Sequence, residues 1–79
     1  MSANQELQPR IGWKKFRNRE SYELLTARHE AQVWFANPVW VCSCKGAIVN
    51  IPIDYNRRFE SAREAKKFIE EKLKASGEI

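Results

Sequence analysis

Residues 31–44, AQVWFANPVWVCSC, decide the fold of this chain. Two apolar runs rich in Val, Trp and Phe flank Asn37-Pro38, and Asn and Pro favour the first two positions of a type I turn. Successive side chains of an extended run point to opposite faces, so the stretch predicts a β-hairpin with a dry face and a mixed face. The dry face carries Ala31, Val33, Phe35, Trp40, Cys42 and Cys44, and the mixed face carries Gln32, Trp34, Ser43 and Lys45.

The turn also predicts which residues of the hairpin pair. We expect Asn37 to lie opposite Trp40, and counting outward from that pair fixes the rest of the register. A slip of one residue would exchange the dry face and the mixed face. The pairs expected farther from the turn are Phe35 with Cys42, Val33 with Cys44, Ala36 with Val41, and Trp34 with Ser43.

Two further short strands are expected beside the hairpin. Residues 21–27, SYELLTA, contain Tyr, Leu and Thr without a helical period, which predicts the strand that precedes it. His29 falls in the connecting turn, where a solvated loop residue is commoner than a catalytic base. Residues 47–51 predict a short edge strand, because Pro52 lacks the amide donor that a further ladder bond needs.

The last third of the chain predicts one helix. Ser61-Ala62-Arg63-Glu64 is a capping box, in which the Ser61 hydroxyl accepts from the Glu64 amide and the Glu64 carboxylate reaches back to the Ser61 amide. Ser76-Gly77 supplies the stop signal. Apolar residues recur between these signals at helical spacing, and they are Ala62, Ala65, Phe68, Ile69 and Leu73.

Together these elements predict an α+β fold. We expect a single small domain with a three-stranded antiparallel sheet, or four strands if residues 47–51 join it, and one C-terminal helix packed on one face, in the order β-β-β-α. Residues 1–9 are expected to form a flexible tail and residues 10–79 the domain, with the sheet at about 21–51 and the helix at about 62–75. The expected core contains Val33, Phe35, Trp40, Phe68, Ile69 and Leu73.

The composition favours a folded cytoplasmic protein without a metal or cofactor. Of its 79 residues, 43% are hydrophobic and 30% are charged, and the N-terminus lacks the apolar core of a secretory signal. Residues 33–53 are long enough for a membrane span, but turn residues interrupt them, so we expect none. Two cysteines and one histidine are too few for a disulfide scaffold or a zinc site, so the thiols should be reduced and inert. A domain this small would gain stability as a homodimer.

Residues 10–19 form a basic segment with five positive charges and no acid. Trp13 and Phe16 are interleaved with these charges, and the alternative is that they pack on the edge of the domain while the basic residues stand in solvent. Residues 1–59 hold nine basic and five acidic residues, whereas residues 60–79 hold five of each. The net charge of +4 therefore comes from residues 1–59. Arg57-Arg58 adds a second cluster, and we expect both clusters to form one positive surface.

An enzyme is the least expected class, because the sequence has no glycine-rich phosphate loop, no paired acids or triad spacing, and a single histidine. We expect a small non-enzymatic protein that binds nucleic acid through the basic segment and an open sheet face bearing Trp34 and Val41. The alternative partner is an acidic protein surface, as for a small phage-type or mobile-element-type protein that docks on a host complex and inhibits or adapts it. The candidate partner-binding residues are Arg10, Lys14, Lys15, Arg17, Arg19, Trp34, Arg57 and Arg58.

Two stretches resemble the β-β-β-α part of double-stranded-RNA-binding domains. They are Tyr22-Glu23-Leu24, before the first turn, and residues 61–67, SAREAKK, which open the last helix. In that family a helix precedes the sheet, glycines lead into the last helix, and lysines at its start contact phosphates. Here residues 56–59, NRRF, replace the glycines, and Arg63, Lys66 and Lys67 stand in for the lysines. The resemblance covers residues 22–73 and implies the same fold and contact with RNA phosphates.

Overall fold

The computed structural model describes residues 12–79, which form one antiparallel sheet of four strands and one helix. The strands pair in chain order, β1-β2-β3-β4. The helix packs on the face of the sheet that carries the dry side of the hairpin, which confirms the expected α+β fold. The expected tail at residues 1–9, and Arg10, lie outside the described residues. The elements are β1 (Lys14–Lys15), β2 (Ser21–Leu25), β3 (His29–Ala36), β4 (Val39–Gly46) and α1 (Ala62–Ala75).

The β3–β4 hairpin turns at Asn37-Pro38, but its register differs by two residues from the expected one. Both residues occupy the centre of the turn and neither joins the ladder, whereas the expected register paired Asn37 with Trp40. Phe35 thereby lies opposite Trp40 with 5.3 Å between ring centroids, a favourable cross-strand aromatic pair. An even shift leaves every side chain on its predicted face. The pairs are Ala36 with Val39, Phe35 with Trp40, Trp34 with Val41, Val33 with Cys42, and Ala31 with Cys44.

The fourth strand comes from the basic segment and not from residues 47–51. β1 pairs with β2, with Lys14 opposite Glu23, so the sheet begins earlier than expected. At the β4 edge the prediction of a strand at residues 47–51 is wrong. Of these residues, Ile51 makes one isolated bridge to β4. Ile51 exchanges both backbone hydrogen bonds with Cys44, and regular pairing does not extend beyond this bridge. Phe59 makes a second isolated bridge to β4, and the chain between the two bridges leaves the sheet edge.

α1 spans the range that its capping box and apolar spacing predict. The Ser61 side chain accepts a hydrogen bond from the Glu64 amide at 3.2 Å. The Glu64 carboxylate, however, accepts from the Glu60 amide at 3.5 Å, so the return bond of the capping box reaches one residue farther than expected. Gly77 ends the helix with a φ of 81°, and the Glu78 amide completes a Schellman ending. This helix is neither long nor apolar enough to cross a membrane.

The core fills the space between α1 and the dry face of the sheet. Trp40 and Phe68 pack against it while partly exposed. Phe35 was expected in the core but is 40% exposed. It is the penultimate residue of β3, beside the turn, where the dry face is no longer covered. Val41, expected on the open face, is fully buried there next to Trp34. The buried residues of the core are Leu24, Ala31, Val33, Cys42, Cys44, Ala65, Ile69 and Leu73.

His29 is buried, so the expectation of a solvated turn residue is wrong. It is the first residue of β3, and the alternation that buries Ala31 and Val33 also turns His29 toward the dry face. Its Nε2 accepts a hydrogen bond from the Val49 amide at 3.0 Å, and its Nδ1 lies 3.1 Å from Oε1 of Glu78. His29 therefore joins three parts of the chain inside the domain.

Candidate functional site

The sheet face opposite α1 holds a groove of about 560 Å³ beside Trp34, which we call the Trp34 groove. A concavity of this size can accommodate a small ligand or one unit of a larger one. The groove combines aromatic, apolar and polar side chains, so it can contact both the face of a planar ring in a ligand and the polar groups at the edge of that ring. Its lining residues are Phe16, Arg19, Glu20, Ser21, Tyr22, Gln32, Trp34, Phe35 and Ile53, of which Tyr22 and Phe35 belong to the helix-side face of their strands and border the groove.

Strand pairing places Trp34 in the middle of the open face. Trp34 lies on β3 between Ser21 of β2 and Val41 of β4, and directly paired residues share a face. Val41 is fully buried whereas Trp34 is half-buried, so part of the indole remains accessible to a ligand. Ser21 is also buried, and its Oγ has no hydrogen-bond partner among the described residues.

The β1–β2 loop, residues 16–20, contributes Phe16, Arg19 and Glu20 to the groove. The loop is fixed to the sheet because the Phe35 amide of β3 donates to the Glu20 carbonyl at 3.0 Å. The Arg19 guanidinium lies 5.5 Å from the centre of the Phe16 ring, a cation–π arrangement. The structure therefore brings Arg19 of the basic segment and Trp34 of the open face into one groove.

The other described basic residues of this segment, Lys14, Lys15 and Arg17, do not line the groove. Lys14 on β1 and Arg17 in the loop are exposed. Lys15 turns back on its own loop, with Nζ 3.8 Å from Oε1 of Glu20 and within 3.4 Å of the Arg19 carbonyl oxygen, to which it donates. Within residues 12–79, Lys14, Arg17 and Arg19 make no ion pair; Arg19 lines the Trp34 groove, Arg17 belongs to the same loop, and Lys14 lies opposite Glu23 on the edge strand.

Arg57 and Arg58 lie at the opposite edge of the sheet. They precede Phe59, which bridges to β4, whereas the basic segment forms the β1 edge. The Arg57 guanidinium stands 4.7 Å from the centre of the Phe68 ring, on the helix side. The structure thus separates the two basic clusters that we expected to form one surface, and of the two only the basic segment, through Phe16 and Arg19, contributes to the Trp34 groove.

A second groove of about 400 Å³ adjoins the first on the same face. Gln32 and Ile53 line both grooves, and the Ile53 side chain is 52% exposed where they meet. Ile53 is absent from the candidates drawn from the sequence, because its place over the sheet depends on how the chain returns from Ile51 to Phe59. The second groove is lined by Glu30, Gln32, Ser43, Lys45, Asn50, Ile51, Pro52 and Ile53.

The two aromatic residues of the basic segment have different environments. Trp13 packs against the core, and its Nε1 donates to Oε2 of Glu70 at 2.7 Å, so the alternative of packing at the domain edge holds for Trp13. Beside it, Lys66 Nζ lies 3.5 Å from the centre of the Tyr22 ring, and burial lowers the pKa of Lys66. Phe16, by contrast, lines the Trp34 groove.

Cys42 and Cys44 are free thiols buried on the helix side of the sheet. Burial raises the pKa of Cys42 to about 11, against a smaller opposing effect of the Arg57 charge, so the reactive thiolate is scarce at neutral pH. Both thiols pack as small apolar residues. Among the described residues, His, Cys, Asp and Glu side chains do not gather in threes as metal ligands would.

No protein-family model matches this chain, and neither a curated protein nor a solved structure matches it. The resemblance to double-stranded-RNA-binding domains therefore gains no support from comparison.

Proposed function

We propose that this protein binds nucleic acid through the open face of its sheet and the basic loop beside it. One observation carries the proposal: Arg19 from the basic segment and Trp34 from the sheet line the same groove. Nucleic-acid surfaces commonly combine cations for phosphates with aromatic rings for bases. Arg17 in the same loop and Lys14 on the adjoining strand β1 are exposed and would supply further positive charge for phosphates.

The phosphate contacts can be tested with two charge-reversed variants of equal net charge. Arg17→Glu with Arg19→Glu reverses the loop, and Lys67→Glu with Lys72→Glu reverses two exposed residues of α1 on the other side of the sheet. Binding of a labelled oligonucleotide is followed by fluorescence anisotropy at several salt concentrations. We expect the loop variant to bind more weakly, and its salt slope to be shallower by about 0.7 on a single strand, or about 0.9 on a duplex, for each phosphate contact removed.

The helix variant is the matched control, because it has the same total charge as the loop variant. We expect it to retain most of the affinity and the wild-type salt slope. Equal losses in both variants would mean that net charge alone attracts the oligonucleotide, and the assignment to the loop would be wrong. Loss in the helix variant alone would move the contact to α1, as the resemblance to double-stranded-RNA-binding domains implies.

A second candidate function is docking on a protein complex of a host, as a small phage-type inhibitor or adaptor. It is favoured by three exposed apolar side chains in the β4–α1 connection, Ile48, Ile53 and Tyr55, which are 50%, 52% and 61% exposed. A pull-down from lysate with and without nuclease separates the two functions. A captured partner that survives nuclease and is lost in Tyr55→Ala would favour docking, whereas capture that nuclease abolishes favours nucleic acid.

A further inference from the structure

We infer that the Trp34 groove takes an unpaired nucleobase of a single strand, which stacks on the exposed part of the Trp34 indole. This inference rests on the proposed function and adds that the bound nucleic acid is single-stranded and not double-stranded. It also assigns ligand-binding roles to Phe16, Gln32 and Ile53, which are not among the partner-binding candidates drawn from the sequence.

The shape of the open face favours a single strand. The Trp34 groove is a concavity of about 560 Å³ between the β1–β2 loop and Ile53. A duplex keeps its bases stacked inside and presents phosphates on its outer surface, so it cannot lay a base face on a tryptophan inside a groove without unstacking that base. An unpaired base has both of its faces free and can enter.

The lining residues supply the contacts that a stacked base uses. The indole of Trp34 and the ring of Phe16 offer aromatic surface, and stacking on such surface tolerates any base because each base has a π-face. The Gln32 amide, with a donor and an acceptor, can pair with a polar edge of the base. Arg19 brings the positive charge that a flanking phosphate needs.

The adjoining groove provides for the next nucleotide along the strand. It shares Gln32 and Ile53 with the Trp34 groove, so Ile53 is the boundary between two neighbouring positions. Its other lining includes Asn50 and Ser43, which can form hydrogen bonds, and Lys45, which lies opposite Glu30 and can reach a phosphate. The strand would therefore cross the open face from the β1–β2 loop toward Lys45.

Three probes of equal length, about eight nucleotides, test the inference by anisotropy on the wild-type protein. They are a single strand of thymidines, the same strand abasic throughout, and a duplex. The abasic strand keeps every phosphate and lacks every base, so it isolates stacking from charge. We expect the thymidine strand to bind about 5- to 150-fold more tightly than the abasic strand, the range for stacking of one base. We also expect it to bind more tightly than the duplex.

Variants then locate the base. Trp34→Ala should bring the affinity for the thymidine strand down to that for the abasic strand, and Trp34→Phe should retain part of the difference. Tyr55→Ala, which removes an aromatic side chain outside the groove that is 61% exposed, is the matched control and should keep the whole difference. The ratio between two strands on one variant does not depend on what fraction of that variant is folded.

The outcomes distinguish this inference from the proposed function. Salt-dependent binding of all three probes with equal affinity, unchanged by Trp34→Ala, would overturn the unpaired base and leave nucleic-acid binding in place. Failure of all three probes to bind would overturn both. A thymidine preference that Tyr55→Ala removes and Trp34→Ala does not would move the base out of the groove and overturn the inference.

Discussion

His29 Nδ1 lies 3.1 Å from Oε1 of Glu78. His29 is the first residue of β3 and Glu78 lies three residues after the end of α1, so the contact joins these two elements. Nε2 of His29 accepts from the Val49 amide, so the ring proton is on Nδ1 and is donated to Glu78. The same Glu78 oxygen accepts from the Thr26 hydroxyl at 2.8 Å and the Arg28 amide at 2.9 Å. The carboxylate thereby fastens the end of α1 to the β2–β3 turn.

These hydrogen bonds predict a loss of stability in acid. The bonds from His29 and Thr26, above all, lower the pKa of Glu78 from 4.5 to about 2. Because the folded pKa is depressed, this contribution to stability is complete above about pH 4.5 and is lost as the pH falls toward 2. Glu78→Gln removes the titrating group, so its urea midpoint should vary less than that of the wild type between these pH values. Identical acid dependence of the two proteins would contradict the contact.

Gly46 should not tolerate a side chain, because it lies opposite the buried His29. A Cβ at Gly46 would collide with the His29 ring and lie 2.7 Å from the Arg28 carbonyl oxygen. We expect Gly46→Ala to lower the free energy of unfolding by about 1 to 3 kcal/mol. Gly12→Ala is the matched control, since a Cβ there meets nothing within 4 Å, and it should change stability by less than about 0.5 kcal/mol. Equal urea midpoints for the two variants would contradict the buried position of His29.

Leu73 tests the packing of α1 on the sheet. Its side chain is fully buried against the dry face, so Leu73→Ala should cost about 2 to 5 kcal/mol of unfolding free energy. Leu25→Ala makes the same chemical change at a side chain that is 62% exposed, and it should cost less than about 0.5 kcal/mol. Chemical denaturation of both variants measures the difference, and similar costs at the two positions would mean that α1 packs elsewhere.

The two cysteines should react slowly while the protein is folded. Cys42 and Cys44 are buried, and burial raises the pKa of Cys42 to about 11, which leaves little thiolate to attack a disulfide reagent. We expect absorbance of the released thiol to rise slowly in buffer and rapidly in urea. Modification of both thiols on mixing in buffer would show that the helix side of the sheet is open.

Local patterns predicted the helix and the two faces of the hairpin. The capping box and the apolar spacing gave the bounds of α1 because a helix is specified by neighbours in sequence. The register was wrong by two residues, yet each side chain kept its face, because side chains alternate with a period of two. The same alternation, extended from Ala31 to His29, would have indicated that the histidine is buried.

Contacts between distant residues could not be predicted in this way. Glu78 meets His29 across 49 positions of sequence, and nothing local marks that partner. The sequence named Arg19 and Trp34 as candidates, but the groove that joins them depends on the pairing of β1 with β2. The separation of Arg57 from the basic segment likewise depends on strand order, which places β1 and β4 at opposite edges.

The affinity of the wild-type protein for a labelled single strand, measured between about 50 and 200 mM salt, tests nucleic-acid binding most directly. If Lys14, Arg17 and Arg19 contact phosphates as proposed, binding releases counterions, so we expect the logarithm of the association constant to fall linearly with the logarithm of salt concentration. For a single strand the slope should be about −0.7 per phosphate contacted, or about −2 for three contacts. Absence of binding at the lowest salt, or an affinity that salt does not change, would contradict the proposed function.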